Sequence, residues 1–107
     1  MVIDSDRRTI EQFKRLMVER GVPLVETIAF GSRARGDGGP ESDLDILVIV
    51  DHYSMEIRET ISHCAWQAGL DAGVIIQSAV MTRDEVENSP QRSSLFMISV
   101  RRDGVMV

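Results

Sequence analysis

A single cysteine, Cys64, leaves this 107-residue chain without an internal disulfide or a cysteine-built zinc site. A reducing, cytoplasmic setting fits that scarcity. No apolar run approaches the length that spans a bilayer, so no membrane role is expected. The opening stretch MVIDSDRRTIEQF is charged from its fourth residue, which is unlike a secretory signal. Positive charge is in short supply: 12 Lys+Arg stand against 17 Asp+Glu, for a net charge of −5. Nucleic-acid binding normally draws its affinity from a basic footprint, so a polymer ligand is disfavoured. All the cations but Lys14 are arginine, which suits bidentate contacts with a small anion. What remains is an ordinary globular balance, 43% apolar and 27% charged, on a length that suits one modest core and one domain over residues 1–107.

Hydrophobic periodicity predicts a helix over residues 4–20, with Ile10, Phe13, Leu16 and Met17 on one face. Gly21 and Pro23 stop it in the usual order. PLVETIAF reads as a strand ending at Phe30, and residues 36–42, GDGGPES, as a loop. DLDILVIV is apolar on both faces beyond its first residues, the pattern of a strand covered on both sides. A helix over residues 54–70 follows, its inner stripe Ile57, Ile61, Cys64, Ala65 and Ala68. GVIIQSAVM reads as a third strand, and Thr82 with Glu85 as a capping box opening a short helix. QRSSLFMISVRR reads as helical, and GVMV is ambiguous. This order predicts an α/β (α+β) fold, a small mixed sheet flanked by helices.

The chemistry concentrates in residues 30–50, FGSRARGDGGPESDLDILVIV. Asp43 and Asp45 are two apart, so on a strand they share a face, with Cα atoms about 6.6 Å apart. Unpaired, they would repel, and one would hold its proton more tightly. A hard cation removes that difficulty, since Mg²⁺ is commonly held by one or two carboxylates plus substrate phosphates. Gly31-Ser32 follows a strand at a turn, where glycine permits close backbone approach and free N–H groups with a hydroxyl suit an anion. Arg33 and Arg35 add charged donors beside it. Strand, anion cradle, loop and strand with paired acids would together hold a metal–triphosphate.

This stretch resembles the minimal nucleotidyltransferase family, small members of the DNA polymerase beta superfamily. The resemblance lies in Gly31-Ser32-Arg33-Ala34-Arg35-Gly36 followed by Ser42-Asp43-Leu44-Asp45. It implies a mixed sheet flanked by helices and Mg²⁺-dependent transfer of a nucleoside monophosphate, AMP above all, from a nucleoside triphosphate to a partner protein or small acceptor. Gly31 and Ser32 would hold phosphates; Asp43 and Asp45 would be the catalytic acids and the ligands of one or two Mg²⁺ ions. The family also implies a partner, a helical HEPN-type protein, with a homo-oligomer as another way to complete the site. Members usually carry a third carboxylate on the next strand. Here GVIIQSAVM holds no acid, and Gln77 or Ser78 takes that place, with Asp71 a possible substitute in another register. Hence a second reading: a nucleotide-binding, antitoxin-like or regulatory subunit that acts on its partner by contact alone.

Trp66 lies opposite the core stripe of its helix, with Met55 and Leu70 near it, which suggests either a contact surface or a seat for the C-terminal SLFMISV. The second of these is the simpler expectation. Cys64 is expected buried and His52 and His63 at the surface, and six methionines are few enough to serve as core fillers. Arg101 and Arg102 are expected near a helix C-terminus.

Overall fold

A computed structural model of the chain describes residues 2–39, 41–88 and 95–107. Helix α1 (Asp4–Glu19) leads into strand β1 (Leu24–Phe30), and a one-turn helix α2 (Gly31–Arg35) follows directly. Strand β2 (Leu44–Val50), helix α3 (Met55–Ala72) and strand β3 (Ile76–Thr82) form a strand–helix–strand unit. Helices α4 (Arg83–Asn88) and α5 (Leu95–Asp103) and the short strand β4 (Val105–Met106) complete it. The expected helix over residues 91–102 is seen from Leu95 onward; residues 91–94 lie outside the described residues. The ambiguous C-terminal GVMV supplies β4.

The local signals that set these boundaries are visible in the hydrogen bonds. Ser54 caps α3, its hydroxyl accepting from the Ile57 N–H at 3.1 Å, and Gly73 ends it with φ +73°. Thr82 and Glu85 exchange reciprocal side-chain-to-backbone bonds of 3.0 and 3.1 Å, the capping box that opens α4.

The sheet runs in the order β3-β2-β1-β4. β1 is antiparallel to β2 and β4, and β2 is parallel to β3, so the sheet is mixed. Its two faces are covered by different helices. On one, Leu44, Ile46, Val48 and Val50 of β2 pack against Ile10, Phe13 and Met17 of α1 and Ile61, Cys64 and Ala68 of α3. On the other, Leu47 and Ile49 of β2 and Met81 of β3 pack against Met97 and Val100 of α5, with Val86 of α4 beside them. Burial pushes the Cys64 thiol above its ordinary pKa, which suits an inert core residue. No described helix is long and apolar enough to cross a membrane.

The position of α5 corrects one expectation. The C-terminal helix packs on the face opposite α3, so it leaves Trp66 uncovered: Trp66 is 62% exposed, Met55 66% and Leu70 64%. Apolar patterning shows which side of a helix seeks cover, but not which side of the sheet a later helix will reach.

Candidate active site

The acids sit on the face of the sheet that α5 covers farther along. Asp45 lies opposite Phe30 of β1 and beside Gln77 of β3, and Asp43 immediately precedes β2. Side chains alternate along a strand, so Asp43, Asp45, Leu47 and Ile49 share one face. The last two are covered by α5; the first two stand at the rim, both half-buried. Burial first, and the Asp43 charge second, push the Asp45 carboxyl above its ordinary pKa.

Gly31 is placed where only glycine fits. Its φ is +78°, and a Cβ there would run into the Asp45 carboxylate. The start of α2 and the second acid of β2 are therefore in direct approach. Beyond α2 the loop folds back over Ser32. The Ser32 carbonyl accepts from the Gly36, Asp37 and Gly38 N–H groups at 3.0, 3.1 and 3.1 Å. A Cβ on Gly38 would meet the Ser32 hydroxyl oxygen at 2.7 Å, so Gly38 is required for that closeness. Nothing in the residues 36–42 loop reads as Gly38 in particular without this fold.

The two arginines part company. Arg33 donates from Nε to the Ser42 carbonyl at 2.6 Å and from Nη1 to Asp6 at 2.8 Å, with both side chains nearly buried. It ties the first turn of α1 to the residue before Asp43. Arg35 stays at the surface, 3.2 Å from Asp37 and 3.5 Å from Asp103. Asp103 titrates below its ordinary range, chiefly through the hydrogen bond from Arg102. Asp6 was not singled out from sequence, yet a signal was present: it falls on the same stripe as Thr9, Ile10, Phe13 and Met17, all buried. An acid on an apolar stripe asks for a buried partner.

Of the two β3 residues expected where the resemblance implies a third acid, Gln77 shares the face of Asp43 and Asp45, and Ser78 the opposite face with Ile46. Gln77 Nε2 donates to Asp43 Oδ2 at 3.0 Å. Asp71 lies on α3 and not on β3, and there it accepts from Gln12 of α1 at 2.9 Å. The position opposite the acids is thus filled by an amide that donates.

The acids suit a hard cation. Two half-buried carboxylates share one rim, and glycine leaves the space before Asp45 clear. Beside them a groove of about 710 Å³ is lined by residues of α3 and β3, among them Trp66, Leu70 and Gln77, and by Asp43.

The nucleotidyltransferase domain family matches residues 10–99. The chain belongs to that family. Among curated proteins it is 36% identical over 91 residues to the bifunctional uridylyltransferase/uridylyl-removing enzyme of Burkholderia thailandensis, covering 79% of this chain and 10% of that one. The Burkholderia mallei enzyme of the same description is 36% identical over 84 residues, covering 74% of this chain and 9% of that protein. The chain thus spans about a tenth of the length of these curated relatives. Among solved structures, a toxin–antitoxin complex with AMP-PNP superposes with TM-score 0.62 at 18% identity, covering 97% of this chain and 72% of that one. A variant of the toxin–antitoxin MntA-HpeT gives 0.61 at 15% identity, covering 97% and 72%. A candidate nucleotidyltransferase from Sulfolobus solfataricus gives 0.52 at 22%, covering 99% and 87%. The mixed sheet flanked by helices is the fold of this family.

Proposed function

We propose that the chain is a Mg²⁺-dependent nucleotidyltransferase that moves AMP from ATP onto a hydroxyl of a partner protein or small acceptor. The observation that carries this is the approach of Gly31 to the Asp45 carboxylate, which brings the Gly-Ser turn and the paired acids to one rim. A relative solved with AMP-PNP supports ATP as donor; the uridylyltransferase relatives make UTP the nucleotide to compare it with. That neighbour is a toxin–antitoxin complex, which supports a protein partner, and a HEPN-type helical protein is the form proposed for it. Residues 1–107 act in this proposal as one domain in a reducing cytoplasm, Cys64 remaining a free buried thiol.

Asp43 and Asp45 would hold Mg²⁺, one or two ions, which when bound neutralises phosphate charge and stabilises entering and leaving oxygens. Gly31 keeps the space before Asp45 open, and Ser32 offers its hydroxyl and N–H to the phosphates. Arg35, exposed on α2, adds a cation beside them, while Arg33 holds the Ser42 carbonyl and so sets where Asp43 begins. In the transfer the acceptor oxygen forms a bond to the α-phosphorus. The bond from that phosphorus to the bridging oxygen breaks, pyrophosphate leaves with the electron pair, and the hydroxyl proton passes to water. Positioning does most of this work.

The Gln77 amide favours a second reading. It cannot take a proton, so no side chain at that place serves as general base. A slow or silent transferase acting by contact with its partner is the alternative. The test is the intact mass of the copurifying partner after incubation with Mg²⁺ and each nucleoside triphosphate, for wild type and the Asp43→Asn/Asp45→Asn pair. Transfer predicts added AMP with wild type alone. A partner that binds, is neutralised, and never gains mass supports contact.

A further inference from the structure

We propose that the groove between α3 and β3 seats an extended, basic segment of the acceptor polypeptide and presents its hydroxyl to Asp43. This rests on the transferase reading above and names what enters that site, and from which side. Four observations converge. The groove's lining includes Asp43 and Gln77, so whatever fills it touches the acid rim. The strand order leaves β3 outermost, and among the described residues no strand pairs with its free edge. An edge of unpaired backbone N–H and C=O groups favours an added strand over a helix or a rigid small molecule. Trp66, Leu70 and Ile75 stand 62%, 64% and 64% exposed around it, a cluster with a large apolar area and a tryptophan that suits an anchor. Finally, Glu41 is the lining acid left over once Asp43 is assigned to the cation, and no lysine or arginine is among the described residues there. A segment alternating apolar and basic residues complements that lining. The alternation matches a strand, which turns successive side chains to opposite faces.

Trp66 is the chain's only tryptophan, so its emission reports the groove directly. The probes are two synthetic peptides with a central serine, one alternating valine with lysine, the other valine with glutamate, added to the full chain. The lysine peptide should shift Trp66 emission saturably and the glutamate peptide should not. Leu70→Arg should weaken the lysine peptide about tenfold or more while leaving ATP binding unchanged. Equal shifts from both peptides, no shift from either, or an unchanged affinity in Leu70→Arg would overturn the proposal. So would a shift produced by ATP alone, which would make the groove a base pocket, or by simple dilution, which would make it a contact between copies. Peptide mass after Mg²⁺ and ATP separates this proposal from the transferase reading. A selective shift without added AMP keeps the groove and counts against transfer. Added AMP with no selective shift keeps transfer and removes the groove.

Discussion

On the face covered by α1 and α3, β2 contributes Leu44, Ile46, Val48 and Val50, every one buried. On the other face the same strand and the residue before it contribute Asp43, Asp45, Leu47 and Ile49, of which only the last two are buried. The first face is a core along its whole length; the second is a core for half its length and a site for the rest. Strand alternation makes this possible, because a carboxylate on one face leaves its neighbours on the other free to pack. The helices enforce it: α5 covers Leu47 and Ile49, and the acids are left at the rim.

Substitutions on the two faces should therefore fail in different ways. Ile46→Ala removes a fully buried side chain from the closed face and should cost about 2–5 kcal/mol of stability by chemical denaturation. Asp43→Asn with Asp45→Asn should abolish transfer while changing stability by under about 1 kcal/mol. If the paired acids proved as costly to replace as Ile46, the division between core and site would break.

Next in size come the residues that join the two faces to the loop. Gly31→Ala places a methyl group at φ +78° against the Asp45 carboxylate, and should cost about 1–3 kcal/mol and lower affinity for Mg-nucleotide. Asp6→Asn weakens the nearly buried contact with Arg33 and should cost about 1–3 kcal/mol, with a smaller fall in transfer as Ser42 and Asp43 lose their anchor. Both are read by paired melting and activity measurements. An Asp6→Asn protein as stable as wild type would remove Arg33 from the structural side of the comparison.

The smallest effect is the most diagnostic of the rim. The Asp45 carboxyl is raised above its ordinary pKa, so it binds its proton more tightly folded than unfolded. Its contribution to stability is present below the ordinary carboxylate range and is lost as pH climbs through the raised value. Asp45→Asn is neutral throughout and escapes that loss. In metal-free buffer, the stability of the variant relative to wild type should rise from acid to neutral pH, and added Mg²⁺ should close the gap by stabilising wild type alone. A difference that stays constant with pH would contradict the burial of Asp45.

How much of this could be read from the chain depended on distance along it. Gly31, Ser32, Asp43 and Asp45 lie within fifteen residues, so their spacing alone, together with the strand patterns on either side, located the rim. The capping box at Thr82 and Glu85 was equally local. Arg33 was harder: its partner Asp6 lies on another helix, and nothing nearby distinguishes an arginine aimed at phosphate from one aimed at a buried acid. Gln77 and Ser78 could be separated only by the register of β3 against β2. The open face at Trp66 was legible as apolar, but what covers it depended on where α5 lands, a property of the whole path.

The most direct test is calorimetric binding of AMP-PNP to the full chain, with and without Mg²⁺, for wild type and the Asp43→Asn/Asp45→Asn pair. The account predicts binding that requires Mg²⁺ and disappears in the pair while the melting curve stays in place. Binding that is equally strong without Mg²⁺, or that survives replacement of both acids, would contradict it.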